Sequence, residues 1–202
     1  MILNIIFDMG GVLLDFSEDR VIRSFFSDFS PEEQNLLRAA IFGTGIWREM
    51  DRGVYHEAQT SYAICQNLPQ HLHAAVTNMI PRYWECLAPI PAMNRLAREW
   101  KAVGRRLYLL TNAPHAFHRE QGRIPALPCF DGIFASCDYL LSKPDPAIYR
   151  KFLETFSLRT ADCFFIDDTP ANIDGARSVG IAGHCFADRD VAALRQAMEA
   201  AD

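Results

Sequence analysis

The sequence predicts an α/β fold in which a parallel sheet, covered by helices on both faces, is interrupted early by an all-helical insertion. Three observations carry this. Short apolar runs recur at residues 2–7, 106–110, 132–135, 163–166 and 181–186, with helical stripes before the second run and between the third, fourth and fifth. Strands that alternate with helices pair in parallel and are buried on both faces. Residues 17–86, by contrast, carry helical periodicity and no convincing buried strand. Unusual polar residues also stand directly after several of the apolar runs, where parallel sheets place their functional loops.

The first run, ILNIIF at 2–7, is almost wholly apolar and rich in β-branched residues, as a strand buried on both faces requires. The chain then breaks at Gly10-Gly11. Ile22, Phe25, Phe26 and Phe29 form one helical stripe, and Leu36, Leu37, Ala40 and Ile41 another. Ser30-Pro31-Glu32-Glu33 reads as a helix start, with serine at the N-cap, proline at N1 and glutamate at N3. Further helices are expected over 46–51, 57–67 and 71–84, the last interrupted at Pro81. Pro89 and Pro91 mark the return to the sheet.

Met93, Leu96, Ala97 and Trp100 line a helix before the strand at 106–110. A short strand follows at 132–135, then a helix over 146–156 with Ile148, Tyr149, Phe152 and Phe156 on one face. The strand at 163–166 leads to a helix over 173–179, which stops before Gly180; a last strand at 181–186 and a helix lined by Val191, Leu194 and Met198 complete the chain. The expected organisation is a discontinuous core, residues 1–15 and 90–202, with residues 16–89 as a helical cap.

Composition narrows the function. The chain has 202 residues, half of them hydrophobic and 22% charged, as for an ordinary folded globule. A net charge of −5 offers no basic footprint for nucleic acid or an anionic membrane. No apolar run approaches the length of a membrane span, and the N-terminus lacks the basic and apolar regions of a signal peptide. Six cysteines form no CxxC pair, so they are expected to be reduced and mostly buried, consistent with a cytoplasmic protein. Oligomeric state is not legible.

The residues that bear chemistry follow the strands. Asp8 follows the first, Thr111 and Asn112 the second, Lys143 lies in the loop after the third, and Asp167 and Asp168 end the fourth. Singly, each fits a turn, a helix cap or a solvated surface. Together, the topology brings them to one rim, where three carboxylates beside one lysine repel unless a divalent cation neutralises them. Asp8 suits a nucleophile and first metal ligand. A hard cation such as Mg²⁺ matches oxygens from Asp8 and Asp168 with Asp167 close by. Lys143 balances charge on nucleophile and phosphoryl group, while the Thr111 hydroxyl and neighbouring backbone N–H groups suit phosphate oxygens.

FDMGGVLLD at 7–15 resembles the first signature of the haloacid dehalogenase superfamily. The Thr111-Asn112 pair, the Lys143-Pro144 pair and DDTPANIDGA at 167–176 resemble its other three, in the required order. The likeness spans roughly two-thirds of the chain, counting the whole core. It implies a Rossmann-like core with a helical cap inserted just after the first motif, nearest to capped sugar-phosphate phosphatases and to the N-terminal domain of soluble epoxide hydrolases. It further implies Asp8 as nucleophile and Thr111 as phosphate binder with Asn112 beside it. Lys143 is the stabilising lysine, Asp167 and Asp168 the magnesium pair, and Asn172 an outer-shell residue. The resemblance departs at Gly10, where phosphatases of the superfamily usually carry a second aspartate. Glycine still offers its backbone carbonyl to the metal but has no proton for the leaving group.

In the cap, Arg20, Trp47, Glu49, Asp51, Arg52 and His56 are candidates for substrate contacts, and His115 and His118 stand just beyond Thr111. The leading expectation is magnesium-dependent hydrolysis of a small phosphorylated metabolite, such as a sugar phosphate, through an aspartyl phosphate. The alternatives are a 2-haloacid dehalogenase, in which Asp8 attacks carbon, and a catalytically weak ligand-binding or scaffold protein. The Asp167-Asp168 pair counts against the dehalogenase, because displacing halide from carbon needs no metal to justify two adjacent carboxylates.

Overall fold

A computed structural model describes residues 2–202. Its strands are β1 (Asn4–Phe7), β2 (Leu14–Asp15), β3 (Ala88–Pro89), β4 (Arg106–Thr111), β5 (Gly132–Ala135), β6 (Cys163–Asp167) and β7 (Ala182–Cys185). Five of them build one sheet in the order β5-β4-β1-β6-β7, all parallel. The first strand in sequence therefore lies at its centre, and its neighbours come from the far half of the chain.

The helices are α1 (Glu18–Phe25), α2 (Pro31–Arg38), α3 (Ile46–Asp51), α4 (Glu57–Cys65), α5 (His73–Met79), α6 (Pro91–Ala102), α7 (Phe117–Glu120), α8 (Pro146–Phe156), α9 (Pro170–Ser178) and α10 (Val191–Ala201). Strand side chains alternate between two apolar clusters, as a period of two dictates. Ile5, Phe7, Leu107, Leu109 and Ile166 pack with Met93, Leu96 and Trp100 of α6 and Leu194 and Met198 of α10. Ile6, Tyr108, Leu110, Phe134 and Phe165 pack with Ile148, Tyr149 and Phe152 of α8 and Ile173 of α9. Both faces are covered, and this accounts for the unbroken apolar character of the strands.

Helices α1 to α5 form the block between β2 and β3. Ser30 and Glu33 close a reciprocal capping box at the start of α2, at 3.2 and 2.9 Å. The helix expected over 71–84 is divided: α5 ends at Met79, a turn holds Pro81, and a 3₁₀ segment covers Tyr83–Cys86. Proline has no N–H to continue the ladder. Leu36 is half exposed rather than part of the buried stripe. A π-helical turn over Ala39–Gly43 follows and shifts the register of Ala40 and Ile41 away from it. Helix α9 begins three residues before the expected start, because Pro170 fits N1 after Thr169.

The two connections between block and sheet run side by side. Leu14 pairs with Pro89 and Asp15 with Ala88, antiparallel. Asp15 accepts from Arg20 at 3.0 Å and from Arg189 at 2.7 Å, so one carboxylate ties the first cap helix to the loop before α10. All six cysteines are free thiols. Among the described residues, no helix is long and apolar enough to cross a membrane.

Candidate active site

Register places the polar residues together. Phe7 stands opposite Leu109 on one side and Ile166 on the other, so these parallel strands end at one rim, after Phe7, Thr111 and Asp167. Asp8 is fastened there by its N–H, which donates to the Ile166 carbonyl at 2.8 Å. The chain then folds back tightly: the N–H groups of Leu13 and Leu14 both donate to the Met9 carbonyl, and Gly11 takes a left-handed φ of 72°. Gly11 also has a steric task. A Cβ there would stand 2.0 Å from the Asp168 carboxylate, so glycine lets Asp168 lie against the loop. Gly10 has no such constraint, since a Cβ there meets only Phe16 at ordinary contact distance.

Lys143 is buried and bridges two acids, with Nζ 2.7 Å from Asp8 Oδ1 and 2.7 Å from Asp167 Oδ2. Asp167 is fully buried and has no unused bonding capacity to speak of. Besides Lys143 it accepts from the Thr169 N–H at 2.8 Å and from Asn172 Nδ2 at 2.9 and 3.0 Å. The Asn112 side chain is likewise spent: its Nδ2 donates to the Lys143 carbonyl at 3.0 Å and its Oδ1 accepts from the Lys143 N–H at 2.9 Å. The amide expected beside phosphate thus locks the lysine loop instead, leaving the backbone of Asn112 for any ligand.

Burial pushes the Asp8 carboxyl up to about 7, with Asp167 and Asp168 adding to the push and Lys143 opposing it. Burial and the charge of Asp167 also raise Asp168. Burial works against the charge of Lys143, yet Asp167 and Asp8 outweigh it and hold the ammonium above its ordinary range. Oxygens of Asp8, Asp167 and Asp168 lie within 4.8 Å of one another. An all-oxygen donor set of this charge fits a hard divalent cation. With Asp167 saturated, Asp8 and Asp168 are the carboxylates with oxygens left to hold one.

These residues form the floor of a cavity of about 400 Å³, which Thr111 also lines. Its walls are mostly apolar, with Leu14, Phe16, Trp47, Tyr83, Trp84 and Leu87, and carry Ser17, Glu18 and Asp51 as polar members. Trp47 meets Tyr83 edge-on at 4.8 Å between ring centroids and stacks on Phe16 at 6.3 Å. Of the six cap candidates, Trp47 and Asp51 line this cavity. Arg20 is bound at the neck, to Asp15 and the Cys86 carbonyl, and Glu49 pairs with Arg52 at 2.8 Å. His56 packs against His115, and His118 pairs with Asp138 at 2.8 Å. Phe16, Tyr83 and Leu87 were missed because they sit at the ends of elements, outside any motif.

Fold and rim together define a class of α/β protein with a lysine-bridged cluster of carboxylates at the carboxyl ends of its parallel strands. A model of the haloacid dehalogenase-like hydrolases matches residues 2–180, and the chain belongs to that family. It is 30% identical over 185 residues to the sesquiterpene phosphatase astK of Aspergillus oryzae, covering 88% of this chain and 86% of that one. Among solved structures it is similar to a haloacid dehalogenase family enzyme of Bacteroides thetaiotaomicron, in complex with magnesium and inorganic phosphate. That likeness has a TM-score of 0.68 at 22% identity, over 91% of this chain and 93% of the other. It is also similar to the L-2-haloacid dehalogenase of Xanthobacter autotrophicus, with a TM-score of 0.67 at 17% identity over 91% and 76% of the two chains. At those identities the structural likeness establishes the fold alone.

Proposed function

We propose that this protein is a magnesium-dependent phosphatase that hydrolyses a small phosphomonoester through an aspartyl phosphate on Asp8. The observation that carries this reading is the buried Asp8–Lys143–Asp167 chain, whose Asp8 and Lys143 line the cavity with Asp168 beside them. Lys143 holds Oδ1 of Asp8, which leaves the second oxygen to attack phosphorus. The O–P bond to Asp8 forms as the ester P–O bond breaks, and water then attacks the same phosphorus and restores the carboxylate. Lys143 neutralises charge on the nucleophile and the transferred group, and the Thr111 hydroxyl receives a phosphate oxygen. A bound magnesium ion, held by Asp8, Asp168 and the Gly10 carbonyl, supplies charge neutralisation for carboxylates and phosphate. Asp167 holds the lysine, and Asn172 in turn donates to Asp167. The dehalogenase reading, which the Xanthobacter likeness keeps in view, leaves the Asp168 carboxylate against Gly11 without a purpose.

The walls bear on the substrate. Six apolar side chains facing a charged floor suit an ester whose organic part is apolar better than a polyhydroxylated sugar. The likeness to a sesquiterpene phosphatase supports the same choice. Residues 16–89 act as the cap over a core of 1–15 and 90–202. The deciding experiment is phosphate release from matched apolar and sugar phosphomonoesters, with and without Mg²⁺. Activity that needs the metal and favours apolar esters is expected; metal-independent activity, or halide release from 2-haloacids in its place, contradicts the proposal.

A further inference from the structure

Gly10 leaves the reaction without the side chain that would protonate the leaving group, yet the cavity contains another acid. We propose that Asp51, carried by the last residue of α3, is the general acid that protonates the departing oxygen and then the general base for the attacking water. This rests on the phosphatase reading above.

The placement is built from the core as well as the cap. Asp51 lines the cavity together with Asp8, Lys143 and Asp168. Its main chain is anchored to the sheet side: Ser136, fully buried after β5, accepts from the Ala113 N–H at 2.9 Å and donates to the Asp51 carbonyl. Two residues on, Gly53 takes a φ of 85° and lies so close to the Cys137 backbone that a Cβ would meet its carbonyl oxygen at 2.5 Å. The turn after α3 is therefore docked against the loop that follows β5, and Asp51 is held at the cavity rather than swung out with a mobile cap. Its carboxyl makes no hydrogen bond to Asp8 among the described residues.

The chemistry of the surroundings suits the role. The groups around the carboxyl are Trp47 on the same helix, Asp8 after β1, Lys143 after β5, Tyr83 in the 3₁₀ turn and Cys137. Burial pushes the Asp51 carboxyl well above the carboxylate range and Asp8 adds to it, against the pull of Trp47 and Lys143, which favours its proton-bearing form. Other groups on the cavity serve less well. Glu18 is exposed at the cavity mouth and pairs with Arg38 at 3.7 Å. The Lys143 ammonium is committed to two carboxylates. Burial drives the Tyr83 phenol upward, making it a poorer donor than a carboxyl.

In the first step the P–O bond to the alcohol breaks as the bond to Asp8 forms, and the Asp51 proton passes to the alkoxide oxygen. In the second, the Asp51 carboxylate takes a proton from water as its oxygen bonds to phosphorus and Asp8 departs. The products are an alcohol and inorganic phosphate, and both aspartates return to their starting states.

The test compares 2-phenylethyl phosphate, whose alkoxide needs a proton, with 4-nitrophenyl phosphate, whose phenolate does not. Rapid-quench single turnovers with Mg²⁺, read as release of 2-phenylethanol or 4-nitrophenol so that only the first step is followed, are measured for wild type, Asp51→Asn and Asp51→Glu, with circular dichroism to confirm folding. Asp51→Asn should slow the alkyl ester by about 10²–10³-fold and the nitrophenyl ester by less than about 5-fold, the pattern of a lost general acid. Asp51→Glu, which keeps the acid, should retain much of the alkyl-ester rate. The wild-type rate on the alkyl ester should fall as pH rises through the Asp51 titration, a limb absent from Asp51→Asn. Equal losses on both esters, or no loss on either, overturn the assignment of Asp51 while leaving the phosphatase reading intact. Failure of the wild type to release phosphate from any ester overturns that reading itself.

Discussion

The charged floor and the apolar walls of the cavity are held together by opposite kinds of force. On the floor the central polar groups hold one another: Lys143 between two carboxylates, Asp167 bonded on both oxygens, Asn112 gripping the lysine backbone. Directional bonds in a buried site fix atoms tightly and leave a costly orphan when one is removed. The walls meet through ring contacts such as Trp47 on Tyr83, which are non-directional and re-pack with less loss. The floor is thus suited to a reaction with a fixed geometry, and the walls to accommodating the varied body of a substrate.

Substitutions on the floor should break function far more sharply than those on the walls. Asp8→Asn keeps the size of the side chain and removes the nucleophile; turnover should fall by about 10⁴-fold or more, read as phosphate release from folded protein. Lys143→Ala should cost about 10²–10³-fold, the scale for removing a strong charge stabiliser. Lys101→Ala and Lys151→Ala, whose lysines form exposed pairs with Asp131 and Glu154, should stay near wild type. Equal rates for all three lysine variants would overturn the role of the floor.

The same floor predicts a stability cost in the metal-free protein. Asp8 is raised in the folded state to about 7 from 3.8, so its neutral form is favoured on folding and ionisation destabilises. That penalty is absent below about pH 4, grows as pH rises, and is complete above about pH 7. Asp8→Asn should therefore stabilise metal-free protein at pH 8 by on the order of 1–3 kcal/mol, with the gain vanishing toward pH 4. Urea unfolding across that range, in the presence of a chelator, checks the sign. Added Mg²⁺ should reverse the ranking, because the ion stabilises wild type through a ligand that the variant lacks.

The walls should respond more gently. Phe16→Ala removes a ring that touches Trp47 and Tyr83, and should raise KM for aromatic esters by about 10-fold with kcat little changed. A matching loss on glycerol phosphate would mean that the walls act on the floor rather than on the substrate. Smallest of all is the expected change in motion. Hydrogen exchange over 17–86 should slow when Mg²⁺ and a phosphate analogue bind, least in the turn after α3 that is already docked on Cys137.

The same contrast decides what was legible in the sequence. The floor residues each follow an apolar run, so strand order and register were enough to bring Asp8, Thr111, Lys143, Asp167 and Asp168 to one rim. What the sequence withheld was how bonds are shared. Asn112 and Asp167 have the right chemistry for ligands, but only tertiary geometry reveals that both are saturated by Lys143, Asn172 and Thr169. The cap was harder. Its helices show as stripes, yet the face that meets the core depends on the π-helical turn at 39–43 and on the division at Pro81, and periodicity carries neither. Arg20, Glu49 and Arg52 therefore looked as suitable as Trp47 and Asp51 until their ion pairs were seen.

The central claim is that Asp8 becomes covalently phosphorylated. Wild type mixed with a phosphomonoester labelled in its phosphate and Mg²⁺, quenched in acid within milliseconds and digested, should yield one labelled peptide carrying the phosphoryl group on Asp8. The label should appear no later than free phosphate, disappear on chase with unlabelled substrate and be absent from Asp8→Asn. Phosphate release without prior labelling, or label on any other residue, would contradict the account.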